Sequence, residues 1–277
     1  MFRSVLFDDI NKNAYDVLKD GYCLDSKATL KTKLRNMNVA LEGKSVGGSI
    51  TSKCSLDINA GKYCNFKKIS METTGTSIVE VDIPNVCKNT TFMLRTQYDV
   101  LKWQCKKAVC GMKYMNGTIA TDAMVDASSK SFSTSLSYLK GSFLVGCKMQ
   151  GSTEELVESI DAAVAYRHKD AVFSFGTMNY CTVLKGAIFA EPYRNVRFGA
   201  TMQLPLEEKT PELAFGCAVK PSRDSETRVK VDTKGHVSMY YKGVANDKFT
   251  YSFTLNTPFI FDSKQSCSLG FSVEARI

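Results

Sequence analysis

Apolar and polar residues alternate with a period of two through most of the chain after residue 25. Successive side chains of a β-strand point to opposite faces, so each such segment predicts a strand with one apolar and one polar face. The clearest apolar rows run from Val196 to Leu204, from Phe249 to Leu255 and from Cys267 to Val273. The pattern therefore predicts an all-β structure for residues 26–277.

Strand plus short turn repeats roughly every 12 to 14 residues, which leaves room for about 18 to 20 strands of about 10 residues each. A single soluble sheet rarely exceeds about 10 strands before it curls or splits. The apolar rows carry almost no charge, whereas Lys, Arg, Ser and Thr collect on the other face. This distribution predicts a transmembrane β-barrel of about 19 strands, with lipid outside and a polar lumen inside. Between residues 61 and 126 the alternation is too irregular to fix strand boundaries.

The first 25 residues predict a separate helical segment that runs between Val5 and Gly21. Apolar residues at helical spacing are Leu6, Ile10, Ala14 and Val17, and polar residues of the opposite face include Asp9, Lys12, Asp16 and Lys19. These two faces make the helix amphipathic. Asp8 or Asp9 is expected to cap its start, and Gly21 suits a left-handed residue after its end.

Composition and motifs point away from an enzyme. The chain has 36 Lys and Arg against 28 Asp and Glu, a formal net charge of +8. Two histidines and ten scattered cysteines form no metal-binding or catalytic motif, and no glycine-rich nucleotide fingerprint follows a strand. We therefore predict no catalytic residues, no metal and no cofactor. With no secretory signal at the N-terminus, the cysteines are expected to be reduced.

Three segments resemble the eukaryotic mitochondrial porins, the voltage-dependent anion channels. The first is the run from Asn11 to Tyr22 with the Leu-Lys-Thr-Lys strand start at 30–33. The second contains Lys230-Val231-Asp232, followed by Ser238-Met239 and Tyr241. The third is the chain end, where Ser268, Gly270, Val273 and Ala275 are similar to the signal by which mitochondrial barrels are inserted.

The resemblance implies a channel of the mitochondrial outer membrane that passes ATP, ADP and phosphate by passive, weakly anion-selective and voltage-gated diffusion. It implies a helix inside the pore, with Lys12, Asp16 and Lys19 facing water and the apolar face against the wall, where Ala163 and Ala165 are expected to receive it. It also implies the lipid bilayer, anionic metabolites and nucleotides, and the mitochondrial barrel-assembly machinery as partners, and no nucleic acid. Self-association is compatible with it, and the oligomeric state is left open.

The alternation itself supplies candidate pore-lining charges. Basic residues on the side opposite the apolar rows are Lys53, Arg197, Arg228, Lys230, Lys242 and Lys248. A net positive lumen would raise the local concentration of anions. We expect these residues, together with Lys12, Asp16 and Lys19, to line the conduction path.

Two alternatives remain open at the level of sequence. A related protein-import barrel would be expected to have a more acidic lumen and a longer N-terminal extension, and the chain has neither. A soluble all-β binding protein, such as a double sandwich, would instead place its polar face outside.

Overall fold

The computed structural model of the chain describes residues 4–46, 48–61, 64–207, 210–258 and 267–277. Over these residues a 3-10 helix spans Phe7–Asp9 and an α-helix, α1, spans Lys12–Leu18. The strands that follow are β1 (Ser26–Leu34), β2 (Met37–Val46), β3 (Ser49–Asn59), β4 (Asn65–Glu72), β5 (Thr76–Cys87), β6 (Thr90–Asp99), β7 (Gln104–Met115), β8 (Ile119–Asp126), β9 (Ser131–Lys140), β10 (Phe143–Ser152), β11 (Ser159–His168), β12 (Ala171–Met178), β13 (Val183–Tyr193), β14 (Val196–Pro205), β15 (Glu212–Ser222), β16 (Ser225–Asp232), β17 (His236–Ala245), β18 (Phe249–Pro258) and β19 (Ser268–Arg276).

The strands form one closed barrel. Each strand pairs with the next in antiparallel fashion, from β1 through β19. The ring is closed by a parallel pair, in which Ser26 of β1 lies opposite Phe271 of β19 and Lys31 lies opposite Arg276. A parallel closure follows from the odd strand number, because β1 and β19 then run in the same direction. The predicted barrel of about 19 strands is confirmed.

Irregular pairing explains why the strands between residues 61 and 126 could not be delimited from the sequence. Register shifts occur at 56–58 and 66–68, where β3 and β4 pair with their neighbours, and at 84–87 and 97–98, between β5 and β7. A bulge adds an unpaired residue and shifts the following side chains to the opposite face. The apolar alternation therefore changes phase repeatedly in this part of the chain.

The two faces of the wall differ sharply in charge. Gly146, Gly199 and Gly216 approach the N-terminal segment and so identify the inner face. Among described strand residues with a registered partner, Lys140 is the only Asp, Glu, Lys or Arg that the pairing places outside, and it is the last residue of β9. Large apolar side chains such as Phe215 are exposed on this outer face. An apolar exterior suits lipid and is incompatible with the soluble double sandwich.

The N-terminal helix is shorter and less regular than the sequence predicted. A continuous helix from Val5 to Gly21 is wrong, because a break separates the 3-10 helix from α1. Neither predicted aspartate caps α1: its N-cap is Asn11, whose side chain instead accepts a hydrogen bond from the Ser174 hydroxyl on β12. Gly21 has a φ of 86°, the left-handed conformation expected after the helix. Among the described residues, no helix is long and apolar enough to cross a membrane.

The outer face can be tested by placing a cation in the middle of β18. Phe253 points outward and packs against Phe271 with ring centroids 5.0 Å apart, whereas the adjacent Ser252 points inward. Phe253→Arg should lower the free energy of unfolding in lipid vesicles by roughly 2 to 4 kcal/mol, as measured by urea titration. Ser252→Arg is the matched control and should cost about 1 kcal/mol, through loss of the hydroxyl contact with Ser272. Equal losses in the two variants would contradict the assignment of the faces.

Candidate functional site

The N-terminal segment lies inside the barrel against one side of the wall. Helix α1 contacts the inner faces of β13, β14 and β15. Its wall side is fully buried, with Ala14 and Val17 only 2% and 1% exposed. Lys12 and Lys19 on the opposite side are exposed to the lumen, and Asp16 is half-buried. The helix thus occupies part of the pore cross-section and presents its charges to the remaining space.

An apolar cluster fixes the beginning of the segment. Ile10 packs with Leu144 of β10 and with Ala163 and Ala165 of β11. The two alanines are inward positions that the sequence predicted to receive the helix. Leu144 was not anticipated, although it lies on the inward side of the alternation. Burial of a branched aliphatic side chain such as Ile10 contributes roughly 1.5 to 3 kcal/mol to this attachment.

Glycines on the wall allow the helix to approach the sheet backbone. A Cβ at Gly199 of β14 would lie 3.0 Å from the carbonyl oxygen of Ala14 and 3.1 Å from Cβ of Val17. A Cβ at Gly216 of β15 would lie 2.7 Å from Cδ2 of Leu18. These residues were missed by the sequence analysis, because an inward glycine on a strand gives no sign of what approaches it.

Polar contacts hold the same segment at its start and middle. The Lys148 ammonium group of β10 donates to both carboxylate oxygens of Asp8, at 2.8 and 2.9 Å. The Ser137 hydroxyl of β9 donates to the carbonyl oxygen of Val5. Alternation predicts that Lys148 and Ser137 face inward, but it does not identify their partners more than a hundred residues away.

Three of the six basic residues predicted on the barrel wall are paired with carboxylates: Lys53, Arg197 and Arg228. Lys53 of β3 lies 2.6 Å from Glu72 of β4. Arg197 of β14 lies 2.7 Å from Glu226, which stands on the same inward row as Arg228 and Lys230. Such pairs link different strands of the wall and cancel much of the field that the basic residues would produce in the pore.

Three other predicted pore residues have no oppositely charged group within 4.0 Å among the described residues. Lys230 lies 5.2 Å from the ring centroid of Tyr22, and Lys19 lies 4.5 Å from that of Tyr15. Neither lysine has a carboxylate within 4.0 Å among the described residues, and no described cation is that close to Asp16 either.

The three remaining predicted pore residues differ in their position and in their charged neighbours. Lys12 lies 3.7 Å from Asp9, and both side chains are exposed. Lys242 of β17 points inward, opposite Glu226 of β16 in the sheet register. Lys248 lies in the turn between β17 and β18, because β18 begins only at Phe249. Lys248 is therefore at the mouth of the barrel, and the alternation does not extend to it.

The close approach at Gly199 predicts how α1 can be displaced. Gly199→Val should push the helix from the wall, since its added atoms would overlap Ala14 and Val17. We expect faster tryptic cleavage after Lys12 and Lys19 in detergent-solubilised protein. The control is Gly186→Val on β13, where the nearest atom to an added Cβ is Cε of Met202, at 3.6 Å. Equal cleavage rates in the two variants would show that Gly199 does not set the position of the helix.

Comparison with known proteins agrees with this architecture. The chain matches the family described as eukaryotic porin over residues 3–262. A search of the curated proteins finds no match. The match includes the N-terminal segment and all strands through β18.

Solved structures give a second comparison. A mutant of the Rh. blastica porin is similar with a TM-score of 0.50 at 9% identity, covering 75% of this chain and 91% of that one. OmpT of Vibrio cholerae with one loop deleted aligns at a TM-score of 0.38 and 8% identity, over 89% of this chain and 94% of that one. At these identities the first similarity concerns the barrel fold alone. With its family match over residues 3–262, the chain belongs to the eukaryotic porins.

Proposed function

We propose that this porin is a weakly anion-selective, voltage-gated channel of the mitochondrial outer membrane that passes ATP, ADP and phosphate. A membrane barrel of the porin family forms a pore. Porins of about 16 to 18 strands leave a water-filled channel, so 19 strands leave room for solutes beside the inner helix. The family and the barrel support an outer-membrane location, and the mitochondrial assignment rests on the sequence resemblance.

The observation that carries the proposed selectivity is the presence of unpaired lysines on the inner surface. Lys230 on the wall and Lys19 on the helix both face the lumen beside aromatic rings rather than carboxylates. In a wide pore, ions keep most of their water, and selectivity arises from the summed field of such charges. The expected preference for anions is therefore modest. A protein-import barrel would instead need an acidic lumen to attract basic segments.

Insertion by the mitochondrial barrel-assembly machinery is part of the same proposal and rests on the C-terminal residues 268–275. Besides its place in the proposed insertion signal, Gly270 has a structural reason to be glycine. A Cβ there would overlap the carbonyl group of Cys23 as the chain passes from the helix into β1. Gly270→Asp would therefore disturb the fold itself, so an assembly defect in that variant would not by itself identify an insertion signal.

Reversal potentials in a planar bilayer test the selectivity. Lys230→Glu removes an unpaired lumen cation and adds an anion, so chloride preference over potassium should fall. The change should be larger at 0.01 M salt, where the Debye length is about 30 Å, than at 0.15 M, where it is about 8 Å. Asp16→Lys on the helix should move the reversal potential in the opposite direction.

Lys248→Glu is the control, because it makes the same charge change in an exposed turn. Its effect should be smaller, since water and salt screen a charge at the mouth. Equal shifts at the two positions would contradict the role of Lys230 in the lumen. Absence of any current from the reconstituted wild-type protein would overturn the channel function.

A further inference from the structure

The C-terminal end of α1 is joined to the wall by one arginine. The last carbonyl groups of a helix have no partner within the helix and carry a partial negative charge. Nη1 of Arg228, on the inner face of β16, donates to the carbonyl oxygens of Asp16 and Asp20, at 2.7 Å each. A single guanidinium group therefore binds one carbonyl group in the last turn of α1 and a second just beyond the C-cap residue, Lys19.

The guanidinium group is itself held in place from the side of the wall. Its Nε donates to Glu226 Oε1 at 2.8 Å, and the same oxygen accepts from Nη2 of Arg197 at 2.7 Å. The side chains of Arg228 and Glu226 are 13% and 12% exposed. The guanidinium carbon also lies 5.5 Å from the ring centroid of Tyr240 on β17. Arg228 is thus oriented by Glu226 on its own strand and by Tyr240 on the next strand, whereas Arg197 of β14 binds Glu226.

The chain beyond the helix continues along the same side of the barrel. Gly21 rests on the ring of Tyr240, where an added Cβ would lie 2.9 Å from Cζ. Its carbonyl oxygen accepts a hydrogen bond from the Thr254 hydroxyl at 3.4 Å. Cys23 then passes over Gly270 of β19. Arg228 is therefore the first of a series of wall contacts that guide residues 20–24 from the helix to β1.

We propose that Arg228 is a positioning residue that holds α1 against the wall and thereby sets the free cross-section of the pore. Its five N–H donors form a planar fork, which allows one side chain to bind Glu226 and two carbonyl groups at once. Its charge is committed to these oxygens, so it contributes less to anion attraction than the unpaired Lys230 two residues later. The proposal stands on contacts within the chain and goes beyond the question of which solutes the pore passes.

Hydrogen exchange of the reconstituted full chain, followed by mass spectrometry, tests this role. Arg228→Gln should accelerate exchange of amides in residues 15–22 by about tenfold or more, because the helix end loses charged hydrogen bonds. Amides of β16 and β17 serve as an internal measure of folding and should keep their protection. Arg197→Gln is the matched control: it removes the same charge next to Glu226 but leaves both contacts to the helix.

Arg228→Lys separates geometry from charge. An ammonium group keeps the charge but lacks the planar fork, so this variant should exchange like Arg228→Gln while its reversal potential stays near that of the wild type. Unchanged exchange in Arg228→Gln, or equal acceleration in Arg197→Gln, would overturn the proposal. So would full protection in Arg228→Lys, which would show that charge alone holds the helix. A loss of current with the predicted exchange pattern would contradict the channel function and leave the positioning role intact.

Discussion

Closure of the barrel through β1 and β19 is the constraint on which the other features depend. Inside hydrocarbon, each backbone N–H and C=O group must find a partner within the protein, and an open sheet leaves two edges unpaired. With 19 strands these edges run in the same direction, so they can join only as a parallel pair. Closure then separates two environments, and the apolar row of every strand faces lipid while the polar row faces an enclosed lumen. A charge placed outside would meet lipid, which explains why Lys140 is confined to a strand end.

The lumen is the second environment, and the N-terminal segment partly fills it. Helix α1 has only seven residues, far fewer than an isolated helix needs for stability in water. Its conformation therefore depends on the wall. The wall supplies an apolar cluster around Ile10, room for close approach at Gly199 and Gly216, and charged hydrogen bonds from Arg228. These contacts come from strands that share a single inner surface only after the sheet has closed.

The electric field in the pore is produced by the charged side chains of this inner surface. Cross-strand pairs such as Lys53 with Glu72 leave little net field at their own positions. The remaining field depends on the charges that have no oppositely charged partner, such as Lys230 and Lys19. Counting basic residues on the inward rows thus overestimates the positive potential. The selectivity of such a pore is determined by pairing as much as by composition.

The sequence by itself determined the fold class, the approximate strand number and the face on which each regular strand places its charges, because side-chain direction along a strand is a local property. Lys53, Arg197, Arg228 and Lys230 could be assigned to the inner face for this reason, as could Ala163 and Ala165. The tertiary structure alone decided where bulges shift the register between β3 and β7, where the N-terminal helix breaks, and which inward charges are paired. Glu226 shows the difference: its inward direction could be read from alternation, but its contacts with Arg197 and with the arginine that binds the helix depend on register across β14, β15 and β16. Partners about two hundred residues apart, such as Arg228 and Asp16, meet only because the barrel closes around the N-terminal segment.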